Sequence, residues 1–333
     1  MKPIYIVGAG AVSCFGPDWR TWGDPSASTF SSTYGVVDLP PPRDQPEARA
    51  RMLMSRGALL GAVAMANAIA DADWPVEGRL ETAAFMGVGA SGGEIPQLER
   101  ILKASMGDDG FTEQRLCRRG VRACSPLFTF QLMNNFTLCH GAILEGIGGE
   151  NGAFYSRGVG TVRALREAWW ALEEGDAAQA LVGGADDALY PVTSDELIRQ
   201  GADEAMLGAG AGVLALTGQS SSAGMATVSA CEVWDDWPAV RMVEAKLRGA
   251  GAWDHVVVAA AHSAAEKCDA LVRALAPNTP SSSMGAHFGE VLAAGPALAW
   301  VFATSLIVGG RARRVGVVTA GLDGGLGVTV LSR

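Results

Sequence analysis

Six cysteines (Cys14, Cys117, Cys124, Cys139, Cys231, Cys268) are scattered through the 333 residues, and no Cys-x-x-Cys pair occurs. Only four histidines are present (His140, His255, His262, His287), none at metal-ligand spacing. A zinc-type centre and a disulfide framework are therefore both set aside, and the thiols are expected free in a reducing compartment. No apolar run reaches the roughly 20 residues that a membrane helix needs, so no membrane insertion is expected. The start, MKPIYIVGAG, enters a strand at once and leaves no room for a signal peptide; a cytoplasmic protein is expected. A basic surplus is missing too. With 26 Lys and Arg against 35 Asp and Glu the net charge is −9, which argues against a nucleic-acid partner. The dense basic run Arg311-Ala312-Arg313-Arg314 fits a solvated loop.

What is abundant is apolar residues, 49%, and glycine, 43 residues, the composition of a compact globular chain. Strand-like runs alternate with helical ones, which predicts an α/β architecture of largely buried sheets. Strands are predicted over 3–7, 82–88, 153–155, 178–182 and 212–216, with helices over 53–71 and 159–174. A polar stretch, 218–222, marks a hinge. Beyond it the alternation restarts: strand 226–231, helix 239–248, strand 255–260, helix 288–307, then strands 314–319 and 327–331. The restart suggests a duplicated α/β unit with halves 1–217 and 223–333. Residues 24–50 form a Pro/Ser-rich excursion and 106–126 a polar connection.

Three features bear on chemistry. Gly8-Ala9-Gly10-Ala11-Val12-Ser13 begins like a dinucleotide fingerprint, but Ser13 replaces the last glycine and no cofactor is expected. The turn Ser156-Arg157-Gly158-Val159-Gly160 joins a strand to a helix whose N-terminal amides could stabilise a thiolate or oxyanion, yet Gly158 and Gly160 carry no side chain. His262 and His287 each follow an apolar strand or loop and could share a cleft at the strand ends. A triad of Ser156, His262 and Asp186 is conceivable, but no Gly-x-Ser-x-Gly elbow supports it. The adjacent Trp169 and Trp170 cannot face the same way, so one belongs to the core.

Taken in order, these motifs resemble the β-ketoacyl synthase family over nearly the full length. IYIVGAGAVSCFG resembles the family's VVVTGLGxVSPLG, GVGASGG its GTGxGG, LGAGAGVLAL its LGEGAGxLVLE, and SSSMGAHFGEVLAAG its TKSMxGHxxGAAG. CHGAILEGIGGENGAFYSRGVGTVRALREAWWALEEGDAAQALVGGAD aligns without a gap on the stretch that carries the family's acyl-accepting cysteine. The resemblance implies the thiolase fold, two duplicated α/β halves in an α-β-α-β-α sandwich. It puts Gly158 at the cysteine position, so condensation by this chain alone is not expected. His262 matches the first active-site histidine and His287 the second, whereas Ser282 stands where a lysine is usual. AGLDGG replaces the gating FGFGG, and the chain is shorter than typical members, chiefly between Tyr190 and Leu207. The family includes a cysteine-less subunit, the chain length factor, that pairs with an active synthase and shapes its acyl tunnel. By resemblance, the strand around 153–155 would pair across the dimer axis, and Phe128, Leu132, Phe136, Phe154 and Tyr155 would lie at the tunnel or interface. An acyl carrier protein would be met through the complex, in polyketide, aryl polyene or fatty-acid-like synthesis. The other reading is a malonyl-carrier decarboxylase using His262 and His287 without a covalent intermediate.

Overall fold

The computed structural model describes residues 2–16, 18–22, 50–90, 92–219 and 224–333. The Pro/Ser-rich stretch, apart from residue 50, and hinge residues 220–222 lie outside them. Runs rich in Val, Ile, Ala and Gly become the ten strands of one sheet. In the first half these are β1 (Ile4–Val12), β2 (Ala83–Val88), β3 (Asn151–Tyr155), β4 (Gln179–Asp187) and β5 (Ala209–Thr217). The second half supplies β6 (Ala226–Trp234), β7 (His255–Ala260), β8 (Ser281–Ser283), β9 (Arg314–Ala320) and β10 (Leu326–Ser332). The order across the sheet is β8-β7-β9-β10-β6-β1-β5-β4-β2-β3. From the middle outward, each block runs first, fifth, fourth, second, third strand. The parallel and antiparallel pairings repeat as well. The blocks meet through three residue pairs only, Ile4 with Val228, Tyr5 with Thr227 and Ile6 with Ala226.

Helix α1 (Arg56–Asp71) is capped by Ser55, whose hydroxyl accepts the Ala58 N–H at 3.2 Å. It is followed by α2 (Ile95–Ser105), α3 (Phe128–Leu132) and α4 (Phe136–Glu145), and α1 and α4 cover the outer face of the first block. Two helices fill the space between the blocks: α5 (Val159–Glu174) and, in the second half, α10 (Ala294–Val308). Residues Ala294 to Ile307 are all buried, which explains why α10 has no polar face. Between these come α6 (Pro191–Arg199), α7 (Val240–Leu247), α8 (Ala265–Leu275) and α9 (Met284–Phe288). Helices α7 and α8 cover the far face of the second block, giving the expected α-β-α-β-α layering. Trp169 is the buried member of the tryptophan pair, and Trp170 lies at the surface beneath the Arg166 guanidinium.

Two expectations need correction. The strand expected over 3–7 runs on through Gly8 to Val12, and the glycines within it serve packing. A Cβ at Gly8 would lie 2.6 Å from Ala72 N, and one at Gly10 would collide with the Ala64 carbonyl, so α1 can sit against the strand only where side chains are absent. The helix expected over 288–307 is broken. Residues 289–293 leave helical geometry because Glu290 pairs with the other half, accepting from Gly208 N at 3.0 Å and donating to Met206 O at 2.6 Å.

Candidate functional site

Strand β3 ends at Tyr155 and α5 begins at Val159, so Ser156, Arg157 and Gly158 form the bend. Gly158 has φ 128° and ψ −70°, a conformation that side-chain-bearing residues avoid. A Cβ there would also come 2.8 Å from Gly321 Cα. Glycine is thus required twice over, by the backbone and by the loop above it. Ser156 Oγ accepts the Gly160 N–H at 2.6 Å and donates to Asp323 Oδ2 at 2.7 Å. The Arg157 guanidinium forks onto Glu196 at 2.8 and 2.5 Å, which pushes the arginine up and holds the glutamate below the usual carboxylate range.

The void beside Gly158, lined among others by Arg157, Ala261, Met284, Glu290, Leu292 and Ala320, is about 20 Å3. That is room for one water and not for an acyl group. His262 and His287 do not line it. His262 is tied to Glu290, whose Oε2 accepts the His262 backbone N–H at 2.8 Å and faces Nδ1 at 3.2 Å. His287 stacks on Phe302 at 5.6 Å and lies edge-on to Phe15 and Phe288, and burial among these rings pushes its pKa down. Ser282, in the lysine position of the resembling family, contacts His255 Nε2 at 2.9 Å. The set Ser156, His262 and Asp186 is not assembled as a triad: these side chains bond to Asp323, to Glu290 and to backbone amides respectively.

Asp186 is the most perturbed carboxylate described. Fully buried at the end of β4, it is pushed up to about 7 by loss of water, with the Asp187 charge adding to this. Amides of Asp187 (2.8 Å) and Ala293 (3.2 Å) donate to it and act in the opposite sense. Because Ala293 caps α10, this carboxyl links the first half to the N-terminus of the second half's central helix. Thr161 on α5 adds a second tie, donating to Ala293 O at 2.6 Å. Burial pushes Cys14 up to about 11, Cys231 and Cys268 to about 12, and Cys139 upward as well. Among the described residues, no three His, Cys, Asp or Glu side chains converge as a metal site requires, and no helix is long and apolar enough to cross a membrane.

The residues matched to a tunnel or interface fall on one flank of the first block. Phe128 is buried beneath the loop at Gly93, where a Cβ would strike its ring. Leu132 is 42% exposed, and Phe136 packs between Phe130 and His140 at 5.1 and 5.0 Å. Phe154 is half-buried and Tyr155 is 54% exposed on β3, which ends the sheet. Exposed Met133, Ile143 and Leu144 lie on and beside α4, which packs on β2 and β3. Since Phe128 is core, Phe128→Ala is expected to cost about 3–5 kcal/mol of stability, read as a lowered denaturation midpoint. Sequence reading missed Glu290, Glu196 and Asp323; each is an unremarkable acid until the fold brings it to the turn.

No protein-family model and no curated protein matches the chain by sequence. Solved structures do match in shape. A β-ketoacyl synthase from Burkholderia phymatum STM815 superposes with TM-score 0.76 at 16% identity, over 100% of both chains. The ishigamide ketosynthase/chain length factor gives 0.74 at 16% over 99% of both. The AntDE:AntF assembly, a type II PKS acyl-carrier protein in complex with its ketosynthase bound to the hexaketide, gives 0.73 at 14% over 99% of both. The layered duplicated α/β architecture is the thiolase-like fold, shared with this β-ketoacyl synthase and this ketosynthase/chain length factor.

Proposed function

We propose that this chain is a non-catalytic, ketosynthase-like subunit, of chain-length-factor type, comprising halves 1–217 and 223–333. It pairs in the cytoplasm with an active β-ketoacyl-carrier-protein synthase and shapes that partner's acyl tunnel. The observation that carries the reading is Gly158. The strand, bend and helix that present a nucleophile in the resembling family are kept, while the position itself is glycine, pressed by Gly321 against a void too small for an acyl group. The pairing surface is the flank of β3. Its outer strand edge is open in the described chain and is bordered by exposed Leu132, Met133, Ile143, Leu144 and Tyr155, a combination that a partner chain covers. A carrier protein delivers acyl groups to the pair, and the product belongs to polyketide, polyene or fatty-acyl chemistry. The decarboxylase alternative needs both histidines to face one substrate, and their separate partners give it no support.

Co-expression with a cysteine-bearing ketosynthase encoded beside it is expected to yield a 1:1 complex, measured by mass in solution. A stable monomer with condensing activity of its own would overturn the proposal. Two variants refine the test. Ile143→Asp places a charge on the bordering patch and is expected to weaken co-purification at least tenfold while leaving the denaturation midpoint within a degree or two. Leu132→Phe is expected to shorten the complex's products without lowering acylation of the partner's cysteine; unchanged product length would remove Leu132 from the tunnel wall.

A further inference from the structure

We infer that the second half carries a binding site for a guanidinium zwitterion of the arginine class, in the corner where α7 and α8 lead into β7 and β8. The two halves match there residue by residue. Ala84 N donates to Glu150 O at 2.8 Å, next to the Ala84–Asn151 pair of β2 and β3. Val256 N donates to Pro280 O at 2.9 Å, next to the Val256–Ser281 pair of β7 and β8. Five residues before Ala84 stands Arg79, and five before Val256 stands Gly251. Six residues before Asn151 stands Glu145, and six before Ser281 stands Leu275. In the first half this corner is filled from within. The Arg79 guanidinium donates to Glu145 Oε2, Pro75 O and Trp74 O, each at 3.0 Å. In the second half neither charged side chain is present, and the connection 248–254 is four residues shorter than 72–82. Gly251 and Leu275 instead line a cavity of about 440 Å3, the size of a small-molecule site.

The cavity holds one acid and one base with which to read such a ligand. Glu244 and Arg248 both line it, and among the described residues neither forms an ion pair. Glu99 with Lys103 and Asp195 with Arg199 do pair at the same spacing. Glu244 takes the guanidinium, as Glu145 takes that of Arg79, and Arg248 takes the carboxylate. Trp253, whose indole rests on β9 at Gly316, offers a surface on which a planar cation stacks. Helix α8 ends at Leu275 on the cavity wall, and the partial negative charge of a helix C-terminus favours a cation there. Arg314 lies against Gly251, its Nη1 donating to Ala252 O at 3.4 Å, and does not line the cavity. The site shares no residue with the void beside Gly158, so it stands whether or not the proposed partner exists.

Isothermal titration calorimetry of the full chain with L-arginine tests the site. A dissociation constant below about 1 mM is expected. L-citrulline keeps the shape without the charge and is expected to bind about tenfold more weakly. Glu244→Gln, at an exposed position, is expected to weaken arginine binding about fivefold with the denaturation midpoint unchanged. Leu275→Glu returns the acid that the first half keeps at 145 and is expected to tighten binding about threefold. Arg248→Gln is expected to weaken binding of arginine but not of agmatine, which lacks the carboxylate. A peptide ending in arginine separates the two sources of this chemistry. Binding equal to that of free arginine identifies a polypeptide C-terminus, and binding about tenfold weaker identifies the free amino acid. No saturation by about 10 mM L-arginine would overturn the site. So would equal binding of citrulline, or a Glu244→Gln variant that binds arginine as the parent does.

Discussion

At pH 8, Asp186→Asn is expected to stabilise the chain, by about 2 kcal/mol in denaturant unfolding, and to do so hardly at all at pH 4. The carboxyl is pushed up from 3.8 to about 7 by burial, so the folded chain binds its proton more tightly than the unfolded one between those values. Stability from this group therefore falls as pH rises through that window. Below 3.8 both states are protonated and no cost arises; above about 7 the whole cost of a buried charge is present. The interval corresponds to at most about 4 kcal/mol. Asparagine can still accept from the Ala293 or Asp187 amide, but its own N–H groups must find acceptors, which reduces the gain. Unfolding free energy measured at both pH values decides the matter. A loss at pH 8 that is absent at pH 4 would show that the charged carboxylate is needed at the head of α10 more than its burial costs.

Gly158→Cys restores the sulfur that the resembling family carries, yet it is expected to yield no acyl-enzyme. The residue would have to hold φ 128°, and its Cβ would lie 2.8 Å from Gly321 Cα. Backbone strain of about 1–3 kcal/mol and overpacking of about the same size both act against the fold. The supporting groups are missing too, since His262 is held by Glu290 and His287 by an aromatic stack. Intact mass after incubation with an acyl thioester is expected to show no adduct, together with a denaturation midpoint lowered by several degrees. A stable adduct would show that the site lacks only its nucleophile, and that the loop above it yields.

Periodicity reads the architecture well where burial is uniform. The helix over 159–174 and the strand over 255–260 have the predicted bounds: Gly158 and Gly175, both at positive φ, delimit the helix, and the strand is a buried run with half-buried ends. Other strands came out short at their ends, as with β5, where flanking Ala and Gly continue the ladder without an apolar signal. The glycine pattern at residues 8–10 is ambiguous for a physical reason: close approach of a phosphate and close approach of a helix both require a missing side chain. The site itself was legible only at its centre. Gly158 stood out by its place in an ordered series of motifs. Its surroundings depend on pairs far apart in the chain, Ser156 with Asp323, 167 residues on, and Arg157 with Glu196, 39 residues on. No local pattern encodes such pairs.

The central layer also bears on how the chain is made. Helix α5 is completed during synthesis of the first half, but its inner side rests on α10 and on β6, both still to come. Val162, whose carbonyl lies 3.7 Å from Cys231 Sγ and whose side chain lies against Gly327, gains that cover only then. A nascent chain paused near residue 217 therefore exposes an apolar helix to whatever else is in reach. Since α10 has no polar side of its own, the last hundred residues meet the same hazard in isolation. Synthesis as one continuous polypeptide gives each central helix its cover at high effective concentration, and splitting the chain at the hinge would forfeit that protection.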